Sequence, residues 1–233
     1  MIGEPDKAVS GIWKENMEIL NYKTKLHLTI SAFAIFAAVV MTSTPSKADI
    51  VDAYFAGGCF WCTEADFEKI EGVVSVTSGF MGGEIKNPPY ELVASGQTKH
   101  RETVNVRFDD QIATFQNLLD AFWRMHDPSD KGGSFVDRGF QYSSAIYYTN
   151  NSQRDLAEGA ISALEAAAKY DKPIATELVE ASEFFAAEDY HQDYYKKSLI
   201  RYKYYRFRSG RDQHVEPLWA DDDTSYQAIK PKD

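Results

Sequence analysis

From residue 49 onward the hydrophobic pattern switches between a period of two and a period near 3.6. "VDAYFAGG" (51–58) is a short apolar stretch closed by a glycine pair, which predicts a strand running into a turn. In "CTEADFEKIEG" (62–72), Phe67 and Ile70 recur at helical spacing, acidic residues come early and Gly72 stands at the end, so a helix is predicted. "VVSVTSGFMGG" (73–83) and "ETVNVRFDD" (102–110) predict the next two strands. In the latter, Val104, Val106 and Phe108 share one face, and Thr103, Asn105 and Arg107 the other. A loop rich in Gly, Pro and Asn, "GGEIKNPPYELVASGQTKH", separates them. Thr114 is placed to cap a helix over "FQNLLDAFWRMHD", whose Phe115, Leu118, Leu119 and Phe122 form one stripe that Pro128 ends. "PSDKGGSFVDRGFQY" predicts a loop and "SSAIYYT" a strand. Ser152 opens an Ala-rich helix through "LAEGAISALEAAAKY", "IATELVEA" predicts a strand and "AAEDYHQDYYKKSLI" a helix, and the chain from Ser209 predicts an irregular polar tail. Strands and helices interleave without a regular βαβ rhythm. The expected fold is therefore a single α+β two-layer sandwich with a mixed sheet, not a doubly wound one.

The first 48 residues read as an address. Lys23 and Lys25 precede the apolar run "LTISAFAIFAAVVM", which is shorter than the roughly 20 residues a membrane-spanning helix needs and leads to the small-x-small triplet Ser46-Lys47-Ala48. A signal peptide over 1–48, cleaved after Ala48, is expected, with export to a periplasm. An uncleaved membrane anchor is the alternative, a buried helix a weaker one, and Met17 is a second candidate start. Residues 49–220 then form the catalytic domain and 221–233 a polar tail. In the 233-residue chain, 44% hydrophobic content supports a sizeable core, and a formal charge of −10 argues against nucleic-acid binding. One basic cluster, "KKSLIRYKYYRFRSGR", reads as a solvated face rather than an anionic-partner site.

Export changes how the two cysteines are read, because thiols in an oxidising compartment normally pair as structural disulfides. Cys59 and Cys62 are the only cysteines, three residues apart. A bridge closing so small a loop constrains the unfolded chain little, since the entropic benefit grows with loop length. Gly57 and Gly58 suit a turn with unusual backbone angles or close ligand approach. A helix N-terminus stabilises a thiolate, so Cys59 is expected to be the nucleophile and Cys62, about one turn on, its resolving partner. An inert Cys59–Cys62 disulfide is the bland alternative. A zinc site is not expected, because the lone C-x-x-C lacks a second ligand pair.

"GGCFWC" resembles the G-C-F-W-[GC] signature of the peptide methionine sulfoxide reductase A family, in its GCFWC subgroup. "NPPY", "TKHRETV", "HDP", "DRGFQYSSAIY" and "AEDYHQDY" correspond in order to further stretches of that family, and the resemblance covers residues 53 to 207. It implies a ferredoxin-like core and reduction of the S epimer of methionine sulfoxide in proteins, peptides and the free amino acid. It implies that Cys59 attacks the sulfoxide sulfur and that Glu102 donates to its oxygen, with Tyr90 and Tyr142 bonding that oxygen. Phe60 and Trp61 would cup the S-methyl group, and Asp137 and Tyr194 would contact substrate or support the site. A sulfenic acid on Cys59 would be resolved by Cys62 and reset by an external thioredoxin-like dithiol, without bound cofactor or metal. The implied partners are oxidised proteins and that reductant, and the protein is expected to be a monomer.

Each assignment has a plainer counterpart. Glu102 at the head of a strand is, without the resemblance, an ordinary solvated carboxylate, and most of the 14 tyrosines must be packing residues. His100, His126 and His191 suggest a Cys/His dyad but are expected to be structural hydrogen-bonders. Phe80, Met81, Lys99 and Arg101 depart from the family pattern beside the expected cleft, and the two cations would favour acidic neighbours of the oxidised methionine. A thioredoxin-type disulfide exchanger is the alternative function, and a secreted module with one stabilising disulfide a non-enzymatic one.

Overall fold

The computed structural model describes residues 49–221. The predicted leader with its cleavage point after Ala48, and all but the first residue of the 221–233 tail, lie outside the described residues. Strands β1 (Ile50–Ala56), β2 (Val73–Met81) and β3 (Arg101–Asp109) are joined by helices α1 (Phe60–Phe67) and α2 (Tyr90–Ala94). Helix α3 (Phe115–Phe122) follows, then the short strands β4 (Gly133–Ser134) and β5 (Asp137–Arg138), a 3₁₀ turn (Phe140–Tyr142) and strand β6 (Ala145–Tyr148). Helix α4 (Asn151–Ala166), strands β7 (Glu177–Glu180) and β8 (Phe185–Ala186), and helices α5 (Tyr194–Lys197), α6 (Leu199–Ser209) and α7 (Arg211–Trp219) complete the chain.

The main sheet runs β7-β6-β1-β3-β2-β8. β1 is antiparallel to β3 and β6, β2 is antiparallel to β3, and β7 adds to β6 in parallel, so the sheet is mixed as expected. The inner four, β6-β1-β3-β2, with α1 and α3 in their connections, form the β-α-β-β-α-β arrangement of ferredoxin-like cores.

The period-two pattern decides the faces. Val104, Val106 and Phe108 join Ala53 and Phe55 of β1 in the larger core, under Phe67, Leu118, Leu119 and Phe122 of the helices and Ala157, Ala160 and Leu164 of α4. Phe55 lies at its centre, with ring centroids 4.9 Å from Phe67 and 5.0 Å from Phe122. Each such fully buried phenyl stabilises the fold by about 1.5–3 kcal/mol. The opposite face carries a smaller cluster of Ala56, Met81, Ala145 and Tyr147.

Thr114 caps α3 in a reciprocal box with Asn117. The helix stops at Phe122, well short of Pro128, where the His126 ring bonds the Phe122 carbonyl at 3.0 Å. Asn150, not Ser152, caps α4. The predicted helix over 186–200 forms only in its second half: Ala186 belongs to β8 beside β2, and left-handed Asp193 (φ 54°) delays the helix to Tyr194. The stretch from Ser209, expected to be irregular, instead holds α7, set off from α6 by left-handed Gly210 (φ 77°).

Candidate active site

The turn between β1 and α1 delivers the two cysteines. Gly58 has φ 89°, where any side chain is strained, and a Cβ there would lie 2.3 Å from Ser134 Cβ, so this position needs glycine twice over. Cys59 follows as the N-cap of α1, its carbonyl accepting from the N–H groups of Cys62 (3.1 Å) and Thr63 (3.2 Å). Both cysteines are buried and unlinked. Their side chains share a hydrogen bond but have different surroundings. Cys59 opens onto a small recess, whereas Cys62 packs against Ala65 and Tyr202.

That recess, about 40 Å³, is lined by Cys59, Phe60, Trp61, Tyr90, Glu102, Asp137, Tyr142 and Tyr205. It has room for a small polar group but not for a whole side chain. Glu102 arrives from β3, 2% exposed, and its Oε2 accepts the Phe60 N–H at 2.9 Å. Burial pushes its carboxyl well above the usual range, more strongly than that bond lowers it, which favours the protonated form. Burial likewise raises the phenols of Tyr90 and Tyr142, which keeps both as neutral donors. Asp137 is held by the Tyr205 O–H, which donates to its Oδ2.

Trp61 is clamped in place. Its Nε1–H donates to His191 Nδ1 at 3.0 Å, and its ring stacks on Tyr194 with centroids 3.9 Å apart. Tyr194 therefore sits behind Trp61 and does not line the recess; Tyr205, one helix later, lines it instead. The three histidines are structural hydrogen-bonders as expected. His100 accepts from the Gly83 N–H, His126 bonds the Phe122 carbonyl, and His191 receives the indole proton. Arg101 does not face the recess. Its guanidinium turns to Ser143 (2.8 Å) and Glu177 (2.6 Å), which removes it as a determinant of acidic substrates; Phe80 and Met81 are core residues.

One electrostatic expectation is corrected. A helix N-terminus was expected to make Cys59 the thiolate, yet burial pushes this thiol well up, helped by its hydrogen bond to Cys62 and by the neighbouring acidic groups of Glu102 and Asp137. Cys62 moves the other way, down to about 7, because it accepts that hydrogen bond and has Arg211 and Arg206 nearby. With only the free N–H groups of one turn in its favour, Cys59 is outweighed by desolvation.

The sequence profile of the family described as peptide methionine sulfoxide reductase matches residues 51–223. A peptide methionine sulfoxide reductase MsrA/MsrB of Vibrio cholerae is 47% identical over 195 residues, covering 84% of this chain and 52% of the relative, so the chain spans about half that protein's length. An MsrA of Bacillus licheniformis is 46% identical over 168 residues, 72% of this chain and 93% of the relative. Among solved structures, methionine sulfoxide reductase A of Corynebacterium diphtheriae superposes with a TM-score of 0.57 at 33% identity, covering 68% of this chain and 78% of that one. Reduced Mxr1 from Saccharomyces cerevisiae gives 0.61 at 27% identity, with 66% and 90% covered.

Proposed function

Because this chain belongs to the peptide methionine sulfoxide reductase family, we propose that it reduces the S epimer of methionine sulfoxide, in proteins and peptides and as the free amino acid, through Cys59, Glu102 and Cys62. The carrying observation is that a buried carboxyl, held by burial well above its usual range, and a buried thiol face one recess of about 40 Å³. The sulfoxide oxygen accepts the Glu102 proton and hydrogen bonds from Tyr90 and Tyr142, while Phe60 and Trp61 enclose the methyl group. Protonation turns the substrate sulfur into a hydroxysulfonium cation. The raised pKa of Cys59 is then no obstacle, since a cation at its side favours the thiolate, and the Glu102 carboxylate is ready to take the thiol proton. Cys59 Sγ bonds to the sulfur, the oxygen passes to Cys59, and methionine leaves reduced by two electrons. Cys59 remains as a sulfenic acid.

Cys62 then closes the disulfide with loss of water, and a thioredoxin-like dithiol resets the pair. The enzyme acts as a monomer on exposed oxidised methionines of exported proteins, its 1–48 segment serving as the leader; N-terminal sequencing of the secreted protein checks that point. The central test uses peptides carrying the separated sulfoxide epimers. The S epimer should be reduced catalytically and the R epimer should not. Cys59→Ser should abolish reduction, and Cys62→Ser should yield one methionine per enzyme and stall as a sulfenic acid that dimedone traps. Sustained turnover of Cys62→Ser with thioredoxin, or reduction of the R epimer alone, would refute the assignment.

A further inference from the structure

The first residue of α7 is a guanidinium with no carboxylate in ion-pair contact, Asp66 and Asp137 acting on it only through space. Arg211 is 1% exposed, and among the described residues it has no carboxylate partner. Its Nη1 donates to the carbonyls of Gly57 (3.3 Å) and Met125, and its guanidinium lies 5.0 Å from the Phe135 ring centroid; Nε has no hydrogen-bond partner among the described residues. Nη2 is 3.4 Å from where a Cβ on Gly58 would stand, so the cation lies against the turn that carries the cysteines. A buried unpaired cation costs several kcal/mol unless something repays it. The neighbouring cation differs: Arg206 is neutralised by Asp66 (2.9 Å) and Asp212 (2.7 Å).

We propose that Arg211 is a positioning residue for the resolving step, its unneutralised guanidinium serving as counter-charge to the Cys62 thiolate that attacks the Cys59 sulfenic acid. The inference rests on the proposed roles of the two cysteines. In that step Cys62 Sγ forms the S–S bond as the Cys59 S–O bond breaks, and hydroxide leaves and takes a proton to become water. The sulfenic sulfur is reduced and Cys62 is oxidised by the same electron pair. The charged and titratable groups bearing on Cys62 are Cys59 at the head of its helix, Asp66 on it, Glu102 from β3, Tyr202, Tyr205 and Arg206 from α6, and Arg211 from α7. Of these, only Arg211 is a cation without a bound carboxylate.

The hydrogen bond from Cys59 is the larger cause of the lowered Cys62 thiol and Arg206 adds to it, so removing the Arg211 charge should raise that thiol from about 7 only part of the way towards the free-thiol value of roughly 8.5. A full return would drop the thiolate fraction at pH 7 from about one half to about 3%. A more basic thiolate is intrinsically more nucleophilic, with a Brønsted slope near 0.4–0.5, so the net loss in rate is at most about threefold. Above the new pKa, where both proteins are fully ionised, the variant should be the faster one.

The test compares Arg211→Met and Arg211→Lys with the parent. Thiolate absorbance in the Cys59→Ser background follows the Cys62 titration, and rapid-quench trapping with dimedone follows sulfenic acid decay after one turnover. Arg211→Met should shift the titration upward by up to about 1.5 units, slow sulfenic acid decay at pH 7, reverse that order near pH 9.5, and leave the first methionine released at the parental rate; Arg211→Lys should restore most of the titration. A rate lowered equally at every pH, or an unmoved titration, would assign Arg211 a merely structural role and overturn the proposal. Should Arg211→Met not fold, Arg211→Gln decides by the same criteria. If instead Cys62→Ser keeps turning over, it is the resolving role of Cys62 that fails.

Discussion

Replacing Glu102 by Gln separates proton donation from substrate binding, because the two side chains have nearly the same volume. In the native site one carboxyl oxygen accepts the Phe60 N–H at 2.9 Å, and the amide oxygen of Gln can accept it equally well. Any loss of substrate affinity should therefore stay near 1 kcal/mol, about a fivefold effect. The amide cannot hand over a proton, and losing a general acid slows chemistry by about 10²–10⁴, or roughly 2.7–5.5 kcal/mol of barrier. Rapid-quench measurement of the first methionine released per enzyme reads this step directly, and its dependence on substrate concentration reads affinity. A single-turnover rate within about fivefold of the parent, or a defect confined to affinity, would refute Glu102 as the acid. Stability supplies an independent check. A carboxyl whose native pKa lies above its unfolded value near 4.3 binds its proton more tightly when folded, so the parent loses stability as pH rises from there towards the native pKa; Glu102→Gln should remove that decline.

Gly58→Ala should cost about 2–4 kcal/mol, through an unfavourable left-handed backbone and the contact with Ser134, and lower Tm by several degrees; an unchanged Tm would mean the turn relaxes freely. Tyr205→Phe removes the donor to Asp137, whose carboxyl is already raised by burial, so its titration, followed by carboxyl carbon NMR, should move to still higher pH; no movement would show that the phenol does not stabilise the carboxylate. His126 is buried and neutral, its pKa depressed to about 3 by burial, so stability should fall as pH drops from about 6.5 towards 3; a flat denaturant midpoint over that range would contradict this.

The core was legible because its signals are local. Val104, Val106 and Phe108 alternate in sequence and are buried together, and Thr114 with Asn117 forms a cap within four residues. The glycine pair was readable for the same reason, as the strain at Gly58 belongs to its own backbone. Motifs single out Cys59, Phe60, Trp61, Tyr90, Glu102, Asp137 and Tyr142, and these seven share the recess. Tyr205 was not singled out, because "RYKYYRFR" offers three tyrosines whose spacing alone does not say which faces inward. Tyr194 was chosen from the motif next door and proved to be the platform behind Trp61. Arg211 and α7 were lost in a polar stretch whose partners, Gly57 and Met125, lie 154 and 86 residues away in the chain. Cys59 likewise sits among side chains from distant elements, Glu102, Tyr142 and Tyr205 among them, which is why helix position alone misjudges its proton.

The reactive pair occupies the first third of the chain, while Tyr202, Tyr205, Arg206 and Arg211, which wall and charge its surroundings, come from near its far end. A ribosome therefore delivers the thiols long before their custodians. Until the final helices dock, Cys62 lacks Tyr202 and the two cations that lower its thiol, and Cys59 lacks the Tyr205 wall of its recess. Trimming the polypeptide back to residue 198 would leave the central sheet's residues intact yet yield a protein that never outgrows this adolescence.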